Sequence, residues 1–195
     1  MSLLFRALPV CALLLAQSPA LAAARVQTTT LSVVVKPVLD GGQQIGCSMA
    51  FVTSQNISNR PAPREISGSL NYLTFPDRSP MVALKIAVAS GTDARLVRPA
   101  DVFLSDGKDI NSVDYVDSHN SDSSGYRLFL YRTSDTTVMA AVERPQRESR
   151  FSFTYHLENE NSQQIVTVDL AAGQATNDLT VAQQWGGCLK AVAAT

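Results

Sequence analysis

The chain has 195 residues, of which 45% are hydrophobic and 17% are charged, and its formal net charge at pH 7 is −1. A balanced charge with no cluster of basic residues argues against binding to nucleic acid, which requires a positive surface. The length and the hydrophobic content are sufficient for one domain with its own core.

The N-terminal segment has the pattern of a secretory signal peptide. One positive charge, Arg6, precedes an uncharged run rich in Leu and Ala, which ends in small residues. The run is about a dozen residues long, too short for a membrane anchor, which needs about 20. We predict a signal peptide over residues 1–24, cleaved after Ala22 or Ala24, and no transmembrane segment in the mature chain. The protein is then periplasmic or secreted.

Two cysteines remain after this cleavage, because Cys11 lies inside the signal peptide and lacks the small preceding residues of a lipoprotein signal. Cys47 and Cys188 are separated by 141 positions. Paired cysteines are usual in exported chains, and closing so long a loop stabilises the fold by at most about 5 kcal/mol. The alternative, a reactive or metal-binding thiol pair, finds no neighbouring His or second Cys. We therefore predict a Cys47–Cys188 disulfide.

The stretches rich in β-branched and aromatic residues predict strands that are separated by turn formers. Asp40-Gly41 predicts a turn between the first two strands, and Pro99 predicts an edge strand or two short ones. Hairpin loops are expected at 105–109, 118–125, 133–135 and 158–163. The predicted strands cover 26–38, 45–52, 64–73, 80–90, 94–107, 125–133, 136–143, 150–158 and 163–171.

Two of these strands alternate clearly between apolar and polar side chains, which places one face of each in a core. One helix is also expected, with Thr176 or Asn177 as its N-cap and Gly186-Gly187 at its end. The sequence thus predicts an all-β protein: a single antiparallel β-sandwich domain over 25–195 with a short C-terminal helix and one disulfide. The apolar faces of the two alternating strands consist of Ile66, Gly68, Leu70 and Tyr72 in the strand over 64–73, and of Phe151, Phe153 and Tyr155 in the strand over 150–158.

The residues that support catalysis are sparse. The mature chain has two histidines, His119 and His156, and no metal-ligand spacing, phosphate-binding loop or nucleophile motif. A Ser-His-Asp site assembled across the fold would have to use one of these two. We expect that the protein is not an enzyme and needs no cofactor.

An aspartate-rich segment, 105–122, offers carboxylate oxygens of the kind that calcium prefers. Its spacing does not match an EF-hand loop, and solvated turns explain the composition equally well. A small-ligand or calcium-binding module in these loops is therefore the alternative function. The carboxylates concerned belong to Asp106, Asp109, Asp114, Asp117 and Asp122.

Arginines and tyrosines gather in residues 126–155, and they share a face if the predicted strands there form a meander. Such a face suits a protein partner, although charges also protect sheet edges from joining. The leading function is a non-catalytic exported protein that presents a surface of the sandwich to a partner in the envelope or outside the cell. The candidate binding face consists of Tyr126, Arg127, Tyr131, Arg132, Arg150 and Tyr155.

The C-terminal third resembles small exported proteobacterial proteins of the invasion-associated locus B type. An aromatic strand is followed by a second strand that ends in Leu170-x-x-Gly173, then by a helix and a cysteine, although the further cysteines of that family are missing. The resemblance implies a disulfide-bonded β-sandwich without known catalysis. The matching positions are Phe151, Phe153, Asp169, Leu170, Gly173, Leu179 and Cys188.

Overall fold

The computed structural model describes residues 26–58, 60–75, 78–90, 96–105, 115–160, 162–173 and 178–194. The predicted signal peptide, residues 1–24, and its cleavage sites lie outside these ranges. In the described part, 10 strands form two antiparallel sheets with two helices, which confirms the predicted fold class. The strands are β1 (Val26–Asp40), β2 (Gln43–Ile57), β3 (Arg64–Phe75), β4 (Arg78–Ser90), β5 (Leu96–Val97), β6 (Asp101–Ser105), β7 (Asp117–Asn120), β8 (Arg127–Arg132), β9 (Arg150–His156) and β10 (Gln164–Asp169).

The large sheet has seven strands in the order β1-β2-β3-β4-β8-β7, and β5 pairs with β4 beyond the end of β8. The small sheet has the order β10-β9-β6. The first hairpin forms as predicted, but its two-residue turn is Gly41-Gly42 rather than Asp40-Gly41, and both glycines take the positive φ that such a turn demands. Pro99 falls between β5 and β6, so the predicted interruption separates two short strands that belong to different sheets.

The core lies between the two sheets, as the alternating patterns predicted. Ile66 and Leu70 of β3 and Phe151 and Phe153 of β9 are all fully buried. Phe51 of β2 joins the layers, since its ring meets that of Phe151 edge to face at 5.4 Å. Each buried ring of this size contributes about 2–3 kcal/mol to the free energy of unfolding.

The predicted strand over 136–143 is wrong, because these residues belong to helix α1 (Thr136–Glu148). The threonines and Val138 favour a strand locally, but the Asp135 side chain accepts from the backbone N–H of Thr137 and caps a helix. Buried residues recur at helical spacing, and Arg144 and Glu148 pair one turn apart. The predicted loop over 133–135 therefore leads into α1 rather than closing a hairpin. The buried residues of α1 are Val138, Ala141, Val142 and Pro145.

The C-terminal helix α2 (Val181–Ala193) exists, but both of its predicted ends are wrong. It begins after Thr180, whose side chain forms a reciprocal capping box with Gln183. Gly186 and Gly187 lie inside the helix, where Gly186 lets it approach Gln146 of α1. Trp185 is fully buried and donates its indole N–H to the Val142 carbonyl at 2.9 Å, which fastens α2 to α1.

The predicted disulfide joins Cys47, near the start of β2, to Cys188 in α2, with 5.9 Å between their Cα atoms. Cys47 is fully buried, and the side-chain amide of Gln44 covers the bridge, 3.3 Å from the Cys188 sulfur. The bridge therefore holds the C-terminal helix on the large sheet, whose first four strands come first in the sequence.

Removal of the disulfide should lower stability without removing the core. For the double variant Cys47→Ala with Cys188→Ala, we expect a loss of about 2–5 kcal/mol in the free energy of unfolding, because the unfolded chain is no longer constrained. Urea unfolding followed by Trp185 fluorescence measures it. The oxidised wild type and the wild type in reductant are the controls. An unchanged midpoint in both the variant and the reduced protein would contradict a structural role.

Candidate functional site

The outer face of the large sheet, which points away from the small sheet, carries small side chains in the middle of β1 to β4, with Lys85 as the exception. Strand pairing places them in two adjacent rows that cross the strands. Small side chains here leave the sheet surface low, so bulkier neighbours rise around it. The first row is Val34, Ala50, Ser69 and Lys85, and the second is Ser32, Val52, Ser67 and Ala87.

Tyr126 closes one end of these rows. Its hydroxyl lies 2.8 Å from the Ser67 hydroxyl on β3, although Tyr126 itself directly precedes β8. The side chain must therefore reach across β4 at Ala87, the partner of Ser67, and Ala87 is fully buried as a result. The ring is thus held at both ends, by its backbone and by its hydroxyl.

Lys85 lies over this ring, with its ammonium 5.2 Å from the ring centroid in a cation–π contact. It donates to the Ser123 hydroxyl at 2.8 Å and lies 3.5 Å from an Asp122 carboxylate oxygen. A hydrogen bond from Ser121 and the charge of Lys85 hold the pKa of Asp122 below its ordinary value. The ammonium is therefore paired with a carboxylate that is ionised at neutral pH.

The turn between β7 and β8 brings Ser123 and Tyr126 over the sheet. The Tyr126 backbone N–H donates to the Ser123 carbonyl, and Gly125 between them has φ +81°. A Cβ on Gly125 would lie 2.4 Å from the Cβ of Leu96, so both backbone angle and space require glycine here.

Together these groups enclose a shallow depression of about 390 Å³, which we call the outer trough. Its floor is formed by small side chains, one end by Val34 of β1, and the other end by Lys85 and Tyr126. Sequence reasoning missed it because residues from four strands and a turn contribute to it. The signal was present in the outward positions in the middle of β2 and β3, Ser48, Ala50, Ser67 and Ser69, which are small and uncharged.

The aspartates of the predicted calcium site are not brought together in the described residues. Asp106, Asp109 and Asp114 lie outside them. Asp117 contacts the His119 ring at 2.9 Å on strand β7, and Asp122 pairs with Lys85 on the outer face. The described part of the chain holds no group of three or more His, Cys, Asp or Glu side chains arranged to bind a metal ion.

The predicted arginine–tyrosine face is not formed, because α1 replaces the middle strand of the expected meander. Tyr131 is fully buried and donates its hydroxyl to the Val102 carbonyl at 2.7 Å, and burial raises its pKa well above the ordinary value. Tyr155 is also fully buried. Arg127 donates to the Ala100 carbonyl at 2.9 Å.

The other members of that set lie on separate elements. Arg132 is exposed at the end of β8. Arg150, the first residue of β9, pairs with Glu148. Tyr126 is the member that lines the outer trough.

A buried ion pair at one end of the sandwich also escaped sequence reasoning. The Arg64 guanidinium is 1% exposed and contacts the Glu160 carboxylate, and it donates to the Tyr155 hydroxyl at 3.1 Å. Tyr155 in turn donates to Gln55 at 2.8 Å. Burial alone would lower the pKa of Arg64, but its contacts with Glu160 and Tyr155 outweigh burial and raise it. The network ties β2, β3 and β9 to the loop that carries Glu160.

Glu160 is the carboxylate on which this network depends. Its burial favours the protonated acid, but the guanidinium groups of Arg64 and Arg60 outweigh it and hold the pKa of Glu160 below its ordinary value. His156, the second of the two candidate histidines, contacts the Glu160 carbonyl and lies 3.7 Å from Asp101. It therefore lies at the same end of the sandwich as the buried ion pair.

No protein-family model, no curated protein and no solved structure matches this chain. The resemblance to invasion-associated locus B proteins therefore stays a prediction. Among the described residues, no helix combines the length and the apolar character needed to cross a bilayer. The disulfide fits an extracytoplasmic location, where such bonds persist.

The buried pair should make stability depend on acid pH. Because the pKa of Glu160 is lower in the folded state, its stabilisation is complete above the unfolded value near pH ~4.3 and is lost as pH falls through the folded value. Glu160→Gln should lower the free energy of unfolding at pH 7 by about 3 kcal/mol, since it leaves the Arg64 charge buried without a counter-ion.

Urea unfolding between neutral and acid pH measures this, and the difference from wild type should shrink below pH ~4. Glu158→Gln, an exposed change in the same loop, is the control and should have little effect. Equal stability of wild type and Glu160→Gln at pH 7 would show that the pair contributes nothing.

Proposed function

We propose that the protein is an exported, non-catalytic binding protein that presents the outer face of its large sheet to a partner in the cell envelope or outside the cell. The outer trough is the observation that carries the proposal, since a low, sparsely charged depression with a fixed aromatic side chain suits binding better than solvation. The signal-peptide pattern and the disulfide support export to the periplasm or beyond it.

The two edges of the large sheet, β1 and β7, are less suited to a partner than its outer face. The backbone N–H of Asp169 donates to the Thr30 side chain at 2.8 Å, and Gly173 packs against the Val33 carbonyl, so the 169–173 segment covers the middle of β1. Helix α2 also packs against β1. The opposite edge, β7, has four residues, and short edge strands are poor templates for pairing with another chain.

The calcium-binding alternative gains no support from the two aspartates that are described. Asp117 is engaged with His119 and Asp122 with Lys85, on different parts of the surface. The proposal therefore rests on the outer face rather than on the 105–122 loops.

Two photo-crosslinking variants, with the probe on the large sheet or on the small sheet, distinguish the two sheets as binding surfaces. Val34 on the outer face and Ile165 on β10 are β-branched strand residues with similar exposure, 47% and 43%. With p-benzoylphenylalanine at Val34, irradiation of the native host's intact cells should give a discrete adduct that is absent with the probe at Ile165. Adducts at both positions, or at neither, would contradict a specific role of the outer face.

The intact mass of the protein from its native envelope tests export. We expect a chain cleaved after Ala22 or Ala24 that is lighter by two hydrogen atoms until it is reduced. A full-length mass, an added lipid or two thiols that alkylate without reduction would contradict the export or the disulfide on which this function depends.

A further inference from the structure

The side chains that line the outer trough also indicate which class of ligand it binds. Hydroxyl groups line it from β1, β3 and the β7–β8 turn. Those of Ser67 and Tyr126 bond to each other, and those of Ser69 and Ser123 accept from Asn71 and Lys85. A hydroxyl has one donor and two acceptor positions, so each keeps capacity for a further hydrogen bond. Val34 and Val52 add apolar surface between them. The trough thus offers alternating hydroxyl and hydrocarbon patches. Its hydroxyls belong to Ser32, Ser67, Ser69, Ser123 and Tyr126.

The electrostatics of the trough favour a neutral ligand. Among the described residues, Lys85 is its one charged lining residue, and its ammonium donates to the Ser123 hydroxyl and lies 3.5 Å from the exposed carboxylate of Asp122. An anion would meet Asp122 beside the ammonium, and a cation would meet the ammonium itself. A group without charge, but rich in hydrogen-bonding atoms, meets neither cost.

The backbone of the floor is not available for recognition. The ladders that join β1 to β2, β2 to β3 and β3 to β4 run through the trough and use the N–H and C=O groups of its strands. An extended peptide binds a sheet mainly by adding to a free edge, which a sheet face does not provide. Recognition in the trough therefore depends on side chains alone.

We infer that the outer trough binds a short neutral saccharide. The inference rests on the proposed function and names its ligand class. A sugar ring has hydroxyls on its rim and C–H groups on its faces, which match the serine hydroxyls and the surface of Tyr126, Val34 and Val52. The volume of about 390 Å³ lies in the range of small-molecule sites.

Tyr126 is the anchor of this site. Its hydroxyl is fixed on Ser67 and its ring lies across Ala87, so the ring is already ordered when a ligand arrives. A fixed ring loses little conformational entropy on binding, which is how a shallow site reaches a measurable affinity.

The test is a titration of the full mature protein, labelled with ¹⁵N, with three neutral disaccharides: cellobiose, maltose and N,N′-diacetylchitobiose. We expect at least one to shift the amide signals of Ser67, Ser69 and Tyr126 in a saturable way, with a dissociation constant on the order of 1 mM. Digalacturonate and capped tetra-alanine are titrated in parallel as an anionic saccharide and a peptide.

Variants connect the signal to the trough. Tyr126→Ala should weaken binding about five- to tenfold through the loss of ring contact. Tyr126→Phe keeps the ring and loses the Ser67 hydrogen bond, so it should bind more tightly than Tyr126→Ala. Lys36→Ala, an exposed change on the same face outside the trough, is the matched control and should bind as wild type does. Trp185 fluorescence confirms that each variant is folded.

Three outcomes would overturn the inference: no saturable shift by any neutral disaccharide up to about ten times the expected dissociation constant, stronger binding of digalacturonate or of the peptide, or equal binding by wild type and Tyr126→Ala. These outcomes are separate from the crosslinking result at Val34. An adduct at Val34 without saccharide binding would keep the outer face as a protein-binding surface and remove only the saccharide.

Discussion

The alternation of side chains along β2 is the constraint on which the rest of the structure depends. Cys47 and Phe51 point inward, to the disulfide with α2 and to the aromatic rings of the small sheet. Ala50 and Val52 point outward and form the floor of the outer trough. A slip of one residue in the pairing of this strand would exchange the two sets, so that the core and the trough would be lost together. The disulfide fixes this register, because Cys47 can reach Cys188 only from the inner face.

The sequence predicted the strands well where packing follows the two-residue period. The inner positions of β3 and β9, such as Ile66 and Phe153, are those that the alternation marked as apolar. The strand prediction failed at 136–143, where Thr136, Thr137 and Val138 have the composition of a strand but belong to helix α1. The capping residue Asp135 and the apolar spacing through Pro145 were the competing signal, and tertiary packing against Trp185 decides between them. The C-terminal end of α2 was missed because Gly186, a residue type that often ends helices, lies inside this one and lets it approach α1.

The candidate site could not be read from the sequence in the same way. Val34, Ser67, Lys85 and Tyr126 are far apart along the chain, and only the register of four paired strands and a turn places them together. The predicted arginine–tyrosine face assumed a meander, and it fails because the intervening segment is helical and sends β9 into the other sheet. Tyr126 was named for that face, and it lines a different surface from the one that the meander implied.

Buried polar contacts distinguish one end of the sandwich from the outer face of the large sheet. Arg64 contacts Glu160 and donates to Tyr155, and Tyr155 donates to Gln55, so these side chains hold loops and strands together. The hydroxyls of the outer trough instead belong to residues that are half-buried or exposed, and its small side chains lower the surface without exposing the core. A sheet face of this kind gives up the charged residues that usually keep strands soluble. That loss is tolerated when the edges are covered, as the 169–173 segment covers β1, and it has a physical purpose when another molecule occupies the face.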